Sequence, residues 1–339
     1  MNNQDRKYTQ YALAREMLET PQVLAKFDFG QAAEAERAIA GMGKVFFTGE
    51  GSSRIFPAKH FMTQAMRMGV GICAATDGSR QAGEYDLSGY AVFGASNSGK
   101  TKEVVGLFRA LGAKGHKALF SLSAFADTPL GQASTAAYVL SCGKEDAVAA
   151  TKSVVEQALF YHAILDRLTG QNALAGQARS LARKSEQALK QPIDPAIVLL
   201  LANANILHWA GRNDGVAEEL TLKTNEITRK RSAFLEGTYA VHGIEEVMSP
   251  EDAVIVVEPF EAEEEKFEEV LVKGVGCKVV ALAARPTRFP TILIPAEAGL
   301  DAYIQLQAGW NMLVEIACAL QIDMDKPERA RKVGNELIG

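Results

Sequence analysis

The feature that most limits how this chain can fold is a repeated alternation of short β-rich runs, small-residue turns and helical stretches. Lys44 to Thr48 (KVFFT) closes on Gly49-Glu50-Gly51, and a helical stretch from Pro57 to Met68 follows. Further runs lie at Gly71 to Ala75, Tyr90 to Phe93, Ala118 to Leu122 and Ala137 to Leu140, with a helical pattern at Lys102 to Leu111. Strands and helices alternating at this spacing form βαβ units, which require a mostly parallel sheet covered on both faces. A long helix, roughly Val148 to Thr169, closes this series, and a Gln, Ala and Lys-rich segment, Gln171 to Gln191, is also helical in composition. Pro192 and Pro195 then mark a joint. Beyond it the scheme restarts with Ile206 to Ala210, the turn Gly211-Arg212-Asn213-Asp214, a helix to about Arg231, and runs at Ala253 to Val257, Lys278 to Leu282 and Thr291 to Ile294. The order of elements predicts a duplication. The expected fold class is α/β, with mostly parallel sheets. The expected organisation is an amphipathic N-terminal helix in 1–28 ending near Pro21, a first domain over 29–170, a helical linker over 171–194, a second domain over 195–324 after which the final helix, Tyr303 to Leu320, leads into a tail over 325–339.

Composition narrows the function. The 339 residues are 47% hydrophobic and 23% charged, with a net charge of −5, and no dense Lys/Arg cluster suggests a nucleic-acid partner. The longest apolar stretch, Ala196 to Ala202, is far short of the ~20 residues that span a bilayer, so no membrane partner is expected. The first residues, MNNQDRKYTQ, lack the basic-then-apolar pattern of a secretory signal, and Cys73, Cys142, Cys277 and Cys318 are widely spaced. The expectation is a cytoplasmic protein with reduced thiols. The histidines, His60, His116, His162, His208 and His242, form no pair at helical ligand spacing, so neither a metal nor a cofactor is expected.

Three segments carry chemistry. Gly94-Ala95-Ser96-Asn97-Ser98-Gly99-Lys100-Thr101 follows a strand and opens a helix. Small residues there let the backbone approach an anion, the helix start points N–H groups at it, and hydroxyls add donors. The octapeptide also satisfies G-x-x-x-x-G-K-[ST], which would make Lys100 the lysine of a P-loop NTPase. That reading needs an acidic residue at the end of a hydrophobic strand to hold magnesium, and the nearest candidate, Glu258, sits far along in the second half. A second glycine turn, Gly49 to Ser53, offers Ser52 and Ser53 at the head of a helix, and adjacent strand ends can aim two such turns at one ligand. On the helix from Val216, Lys223 and Glu226 share a face with Glu219 one turn earlier, a pattern that by itself is an ion-pair ladder. His242 stands alone in a glycine-rich stretch.

Taken in order, these segments resemble the sugar isomerase (SIS) family in its double-domain form, and most closely the isomerase half of glucosamine-6-phosphate synthase. The family's phosphate loop S-x-S-G-x-T is matched by Ser96, Ser98, Gly99 and Thr101, and its G-[TS]-S turn by Gly51-Ser52-Ser53. V-A-S-T-K is matched by Val148-Ala149-Ala150-Thr151-Lys152, with Ala150 in place of a serine. The G-R turn and A-L-K-L-K-E helix correspond to Gly211-Arg212 and to Leu220 through Glu226, and His242-Gly243 falls sixteen residues beyond Glu226, where the family has H-G-P. D-Q-P-x-x-x-x-K is matched by Asp325-Lys326-Pro327 and Lys332, with Lys326 replacing the glutamine. Ile244 replaces the family's proline, and Thr238 to Val241 differ from its usual G-E-[FL]-[KR].

The resemblance covers residues about 30 to 333 and implies an α/β fold of two flavodoxin-like doubly wound parallel-sheet domains. It implies a phosphosugar isomerase acting on a ketose, aldose or amino-sugar 6-phosphate through an enediol or enediolamine, with deaminase and deglycase outcomes open. Glu226 would move the proton between C1 and C2, His242 would open the ring, Lys332 would face the carbonyl or form an imine, and Lys223 would stabilise charge near Glu226. Ser52, Ser53, Ser96, Asn97, Ser98, Thr101, Val148 and Ala150 would bind the phosphate and sugar. The family's histidine reaches the neighbouring subunit's site, which implies a homodimer with composite sites. Some family members bind sugar phosphates without catalysis, so a sensor module is the alternative.

Overall fold

The structure, a computed structural model, describes residues 1–329, 336 and 337. The chain divides into two compact units: Met1–Pro21 with Ser180–Glu328, and Gln22–Arg179 joined by the described end of the chain at Glu336 and Leu337.

In the Gln22–Arg179 unit, β1 (Lys44–Thr48), β2 (Cys73–Asp77), β3 (Ala91–Ala95), β4 (Leu119–Ser123) and β5 (Ala136–Val139) form one sheet in the order β2-β1-β3-β4-β5. Every pairing is parallel. The central strands β3 and β4 are buried along their whole length, which is why they read as unbroken apolar or small runs rather than as alternating ones. Phe47, Phe93 and Tyr161 pack as a cluster of rings with centroids 4.4 to 5.7 Å apart. Each such ring, buried in full, contributes roughly 1.5–3 kcal/mol. Edge strand β2 reaches two residues beyond the apolar run that marks it and ends on Asp77. It is only half-buried, so small polar residues are tolerated there and the run is a poor guide to its end.

In the Ser180–Glu328 unit, β6 (Ile206–Gly211), β7 (Arg231–Glu236), β8 (Ala253–Val257), β9 (Lys278–Ala283) and β10 (Thr291–Leu293) take the order β7-β6-β8-β9-β10. With its first strand numbered one, each sheet runs 2-1-3-4-5, the flavodoxin-like winding. The duplication inferred from element order is therefore present in the topology.

Among the helices, α1 spans Ala12–Lys26, α2 Ala33–Met42, α3 Ile55–Arg67, α4 Lys102–Ala113, α5 Lys152–Leu168, α6 Leu174–Lys190, α7 Pro195–Asn203, α8 Val216–Thr228 and α9 Asp301–Ala319. Helices α1 and α8 differ from the expectation. Pro21 lies inside α1 rather than at its end: the missing N–H costs one helical hydrogen bond, while Leu13, Met17, Val23 and Leu24 on either side are buried. Helix α8 stops at Thr228, not Arg231, because Arg229 turns left-handed at φ +57° and Lys230 N–H bonds the Thr228 hydroxyl. Arg231 instead begins β7, an edge strand whose polar ends hide it from a search for apolar runs. Where the two prolines mark a joint, Asp194 caps the Ala196 N–H at 2.8 Å and Pro195 opens α7.

Helices α3 and α5 pack together and enclose a histidine pair, with His60 Nε2 3.2 Å from His162 Nδ1. Burial lowers His60 far below its usual value, with His162 and Arg67 adding to the effect. Burial also lowers His162 to about 4, with Asp166 opposing. Because these folded-state values lie below the unfolded one, unfolding takes up protons: the stability is full above pH ~6.5 and is lost as pH falls toward 4. We expect the wild type to lose about 2 kcal/mol between pH 7 and pH 5 from His162 alone. Urea unfolding of the wild type and His162→Gln at both pH values measures it, and an equal pH dependence in the two proteins would refute it.

Candidate active site

The loop after β3 is built to stay open and close to backbone. Gly94 lets α4 lie against the strand, since a Cβ there would sit 2.6 Å from the Phe108 ring. Gly99 takes φ +64°, and its Cβ would fall 2.5 Å from that of Thr128. Between these glycines the Ser96 hydroxyl is spent within the loop, 2.8 Å from Thr101 Oγ1 and accepting Gly99 N–H at 3.1 Å. Asn97 Nδ2 donates to Gly143 O at 3.4 Å. Ser96 thus fastens the loop, whereas Asn97, Ser98 and Lys100 face a cavity of about 460 Å³. The N-terminus of α4 opens at Thr101, so its N–H groups and dipole favour an anion here.

The first glycine turn meets this loop. A Cβ on Gly49 would lie 3.0 Å from Ala95 O, so the turn passes directly against the tip of β3. Gly51 has φ +56°, and Ser52 and Ser53 complete a 3-10 turn that leads into α3, with Ser52 buried and Ser53 half-buried. Glu50 fixes the turn from outside by accepting Ser79 N–H at 3.0 Å.

The segment that carries Val148 and Ala150 is shaped by carboxylates that the sequence reading overlooked. Glu145 is buried and accepts Thr151 N–H at 2.7 Å, Thr151 Oγ1 at 3.2 Å and the Ser153 hydroxyl. Thr151 is held off helical geometry, so α5 starts at Lys152 rather than at Val148. Glu156 accepts both backbone N–H groups of Ser141 and Cys142, at 2.8 and 2.7 Å. The available signal was two glutamates flanking a stretch of small residues, where a solvated position would need none.

In the other unit, Lys223 is completely buried, with Nζ 2.7 Å from Glu226 Oε2 and 3.3 Å from Glu219 Oε1. Burial pulls its pKa down, but Glu226 and Glu219 outweigh that and hold the ammonium above its usual value. Glu219 is also buried, while Glu226 is 29% exposed. The arrangement presents one carboxylate oxygen pinned by a buried cation and leaves the group accessible, which suits a base that must keep one orientation. His242 lies on an exposed turn after β7, with Lys266 Nζ 3.4 Å from its Nε2. Gly243 takes φ +108° just before Ile244. Among the described residues no hydrogen bond or ion pair joins His242 to Glu226, and Lys332 lies outside the described residues.

The P-loop alternative fares poorly in this geometry. Glu258 belongs to the other sheet, at the end of β8, and its carboxylate accepts Ala284 N–H at 3.0 Å. Asp77 does end a strand of the same sheet as Lys100, but β1 separates it from β3 and its Oδ2 accepts from Tyr85 and Gln81. Among the described residues no cluster of acidic, histidine or cysteine side chains could hold a metal ion, and no helix is long and apolar enough to cross a membrane.

No protein-family model matches the chain, and no curated protein matches it. Solved structures do. A Silicibacter pomeroyi protein assigned as a phosphosugar isomerase is 23% identical, covering 93% of this chain and 100% of its own, with a TM-score of 0.78. The C-terminal domain of glucosamine-fructose-6-phosphate aminotransferase from Francisella tularensis is 16% identical, covering 95% and 100%, at 0.77. The chain has the double sugar-isomerase fold. Glucosamine-6-phosphate deaminase from Thermotoga maritima shares it at 17% identity, covering 95% and 98%, at 0.73. Within this double-SIS fold the Ser96–Thr101 loop stands at the switch point between β1 and β3, where doubly wound sheets open a crevice.

The loop offers a direct test. Gly99→Ala forces a left-handed alanine onto Thr128, and should cost about 1–3 kcal/mol or displace the loop. Urea midpoints together with calorimetric titration of a hexose 6-phosphate measure both effects. Unchanged stability with unchanged binding would mean that the loop does not depend on this glycine.

Proposed function

We propose that the chain is a phosphosugar isomerase-type enzyme, acting on a ketose, aldose or amino-sugar 6-phosphate by proton transfer through an enediol or enediolamine. The observation that carries this reading is the pair of sites the chain keeps in this fold. One is an anion-binding loop at the first sheet's switch point, and the other is an accessible carboxylate, Glu226, pinned by the buried Lys223. The solved structures that share the fold include a deaminase of an amino-sugar phosphate, which supports the substrate class.

In this mechanism Ser98, Thr101, Asn97 and the loop N–H groups bind the phosphate, with Ser52 and Ser53 from the neighbouring turn, while Ser96 holds the loop. Val148 and Ala150 line the sugar side. His242 transfers the proton that opens the ring. Glu226 then removes the proton from C2 and returns it to C1, or the reverse, while the negative charge rests on the enediolate oxygen. Lys332 faces that oxygen or forms an imine with the open-chain carbonyl. Lys223 is a positioning residue: fully buried, it acts through Glu226. Where the substrate carries an amine, the same intermediate permits amine release. The substrate partner is therefore a phosphorylated sugar or amino sugar, with no metal or other cofactor in the scheme, and the assembly is a homodimer with composite sites.

Incubation with fructose 6-phosphate, glucosamine 6-phosphate and fructoselysine 6-phosphate in deuterated water, following label at C1 and C2 and any free amine, tests the reading. Glu226→Gln keeps the shape of the residue and removes its basicity, so exchange should fall by at least ~10² with the fold unchanged. Wild-type exchange in that variant would name another base. Binding of the sugar phosphates with no exchange by the wild type would make the chain a sensor.

The composite site has its own consequence. Glu226→Gln and His242→Ala, unfolded and refolded together, should recover roughly a quarter of wild-type activity, since about half the dimers are mixed and each mixed dimer holds one intact site. Mixed dimers without recovered activity would place both residues in one chain's site.

A further inference from the structure

Lys100 is the one charged residue of the Gly94–Thr101 loop, and the proton-transfer scheme gives it no task. Its side chain is exposed and lines the 460 Å³ cavity beside Asn97 and Ser98. Its backbone is fixed: Lys100 O accepts Leu337 N–H at 2.9 Å, and Lys100 N–H bonds the Ser98 hydroxyl at 3.3 Å. The cavity is also lined by four carboxylates, Asp127, Glu145, Asp146 and Glu336, and by one other ammonium group, Lys144. Lys144 is committed to Asp146 at 2.6 Å. Among the described residues no ion pair holds Lys100.

This charge balance conflicts with a phosphate ligand unless a cation is free to meet it. A phosphate monoester brings ~1.5 to 2 negative charges at pH 7. Hydroxyl and N–H groups supply hydrogen bonds without formal charge, and the α4 N-terminus supplies the equivalent of roughly half a charge. Asp127, Glu145 and Glu336 oppose the ligand, while Lys144 and Asp146, an exposed pair, largely cancel one another.

We infer that Lys100 is a phosphate-binding residue whose ammonium makes the loop select the dianionic form of the sugar phosphate. The inference rests on the phosphosugar reading above and adds a specificity residue to it. Lys100 then acts on a phosphomonoester as a point charge, the role a lysine at this place in the motif has toward nucleotide phosphates. The match to G-x-x-x-x-G-K-[ST] is thereby explained by the anion alone, with no triphosphate required.

Calorimetric titration of the full chain with fructose 6-phosphate and glucosamine 6-phosphate, at pH 8 and pH 5.5, tests it. The proteins compared are wild type, Lys100→Ala, Lys100→Arg and the double variant Ser98→Ala with Thr101→Ala. Lys100→Ala should weaken binding about 10- to 100-fold at pH 8, the effect of losing a charged hydrogen-bond partner, and Lys100→Arg should restore most of it. Since a phosphate monoester gains its second proton near pH ~6, the Lys100→Ala deficit should shrink at pH 5.5. Lys100→Ala binding within twofold of wild type at pH 8, or a deficit equal at both pH values, would overturn the inference. Weak binding by the double variant beside normal binding by Lys100→Ala would leave the phosphosugar reading standing and remove Lys100 from it. If neither sugar phosphate binds the wild type, both fall. Magnesium-dependent ATP binding that disappears in Lys100→Ala would assign the lysine to a nucleotide and overturn the inference as well.

Discussion

The close packing of α4 on β3 governs the first unit's chemistry. It depends on one absent side chain, because at Gly94 the Phe108 ring occupies the space that a Cβ would need. That contact brings the helix start over the strand tip, and Asn97, Ser98 and Lys100 line one cavity there. The Ser96–Thr101 hydroxyl bond and the left-handed Gly99 then hold the loop in one conformation. A side chain at either glycine would alter the distance between helix and sheet, and with it every donor the loop presents.

The buried charges follow a similar rule: each is retained with partners, and each fixes the geometry of something else. Lys223 in the apolar interior would carry a desolvation cost of several kcal/mol, which Glu219 and Glu226 offset. In return, Glu226 has one oxygen fixed and remains accessible. Glu145 plays the corresponding part in the other unit, where its two oxygens collect donors from Thr151 and Ser153 and shape the turn before α5. A buried ion pair is a weak source of stability but an effective means of holding one conformation.

The two sheets share a winding and differ at their tips. At the end of β6 the Arg212 guanidinium lies 4.3 Å from the centre of the Phe260 ring and donates to Glu258 O at 2.5 Å. The space left beside them is only about 10 Å³, too little for a ligand. Glu258 adopts φ +46° there, a strained conformation for a residue with a side chain, stabilised by the Ala284 N–H and by Arg212. Among the described residues, Arg212, Glu258 and Phe260 thus fill the tip of this sheet where the first sheet carries its loop and cavity.

How much of this was legible in the sequence follows from the range of each interaction. The strands β1, β3, β4, β5, β6, β8, β9 and β10, their parallel pairing and the Ser96–Thr101 loop could be read directly, because apolar runs, glycine turns and helix starts are set by neighbours a few residues away. The edge strand β7 could not, since its polar residues face solvent and its pairing with β6 is a long-range fact. Nor could the continuation of α1 through Pro21, which burial on both sides decides. Residue types at Lys223, Glu226 and Lys100 were plain in the sequence. That Lys223 is sealed from water, that Glu226 is not, and that Lys144 is paired while Lys100 faces the cavity are settled by tertiary packing alone. Local chemistry determines which groups the chain carries, but desolvation and charge pairing depend on what the fold brings within a few ångströms of each group.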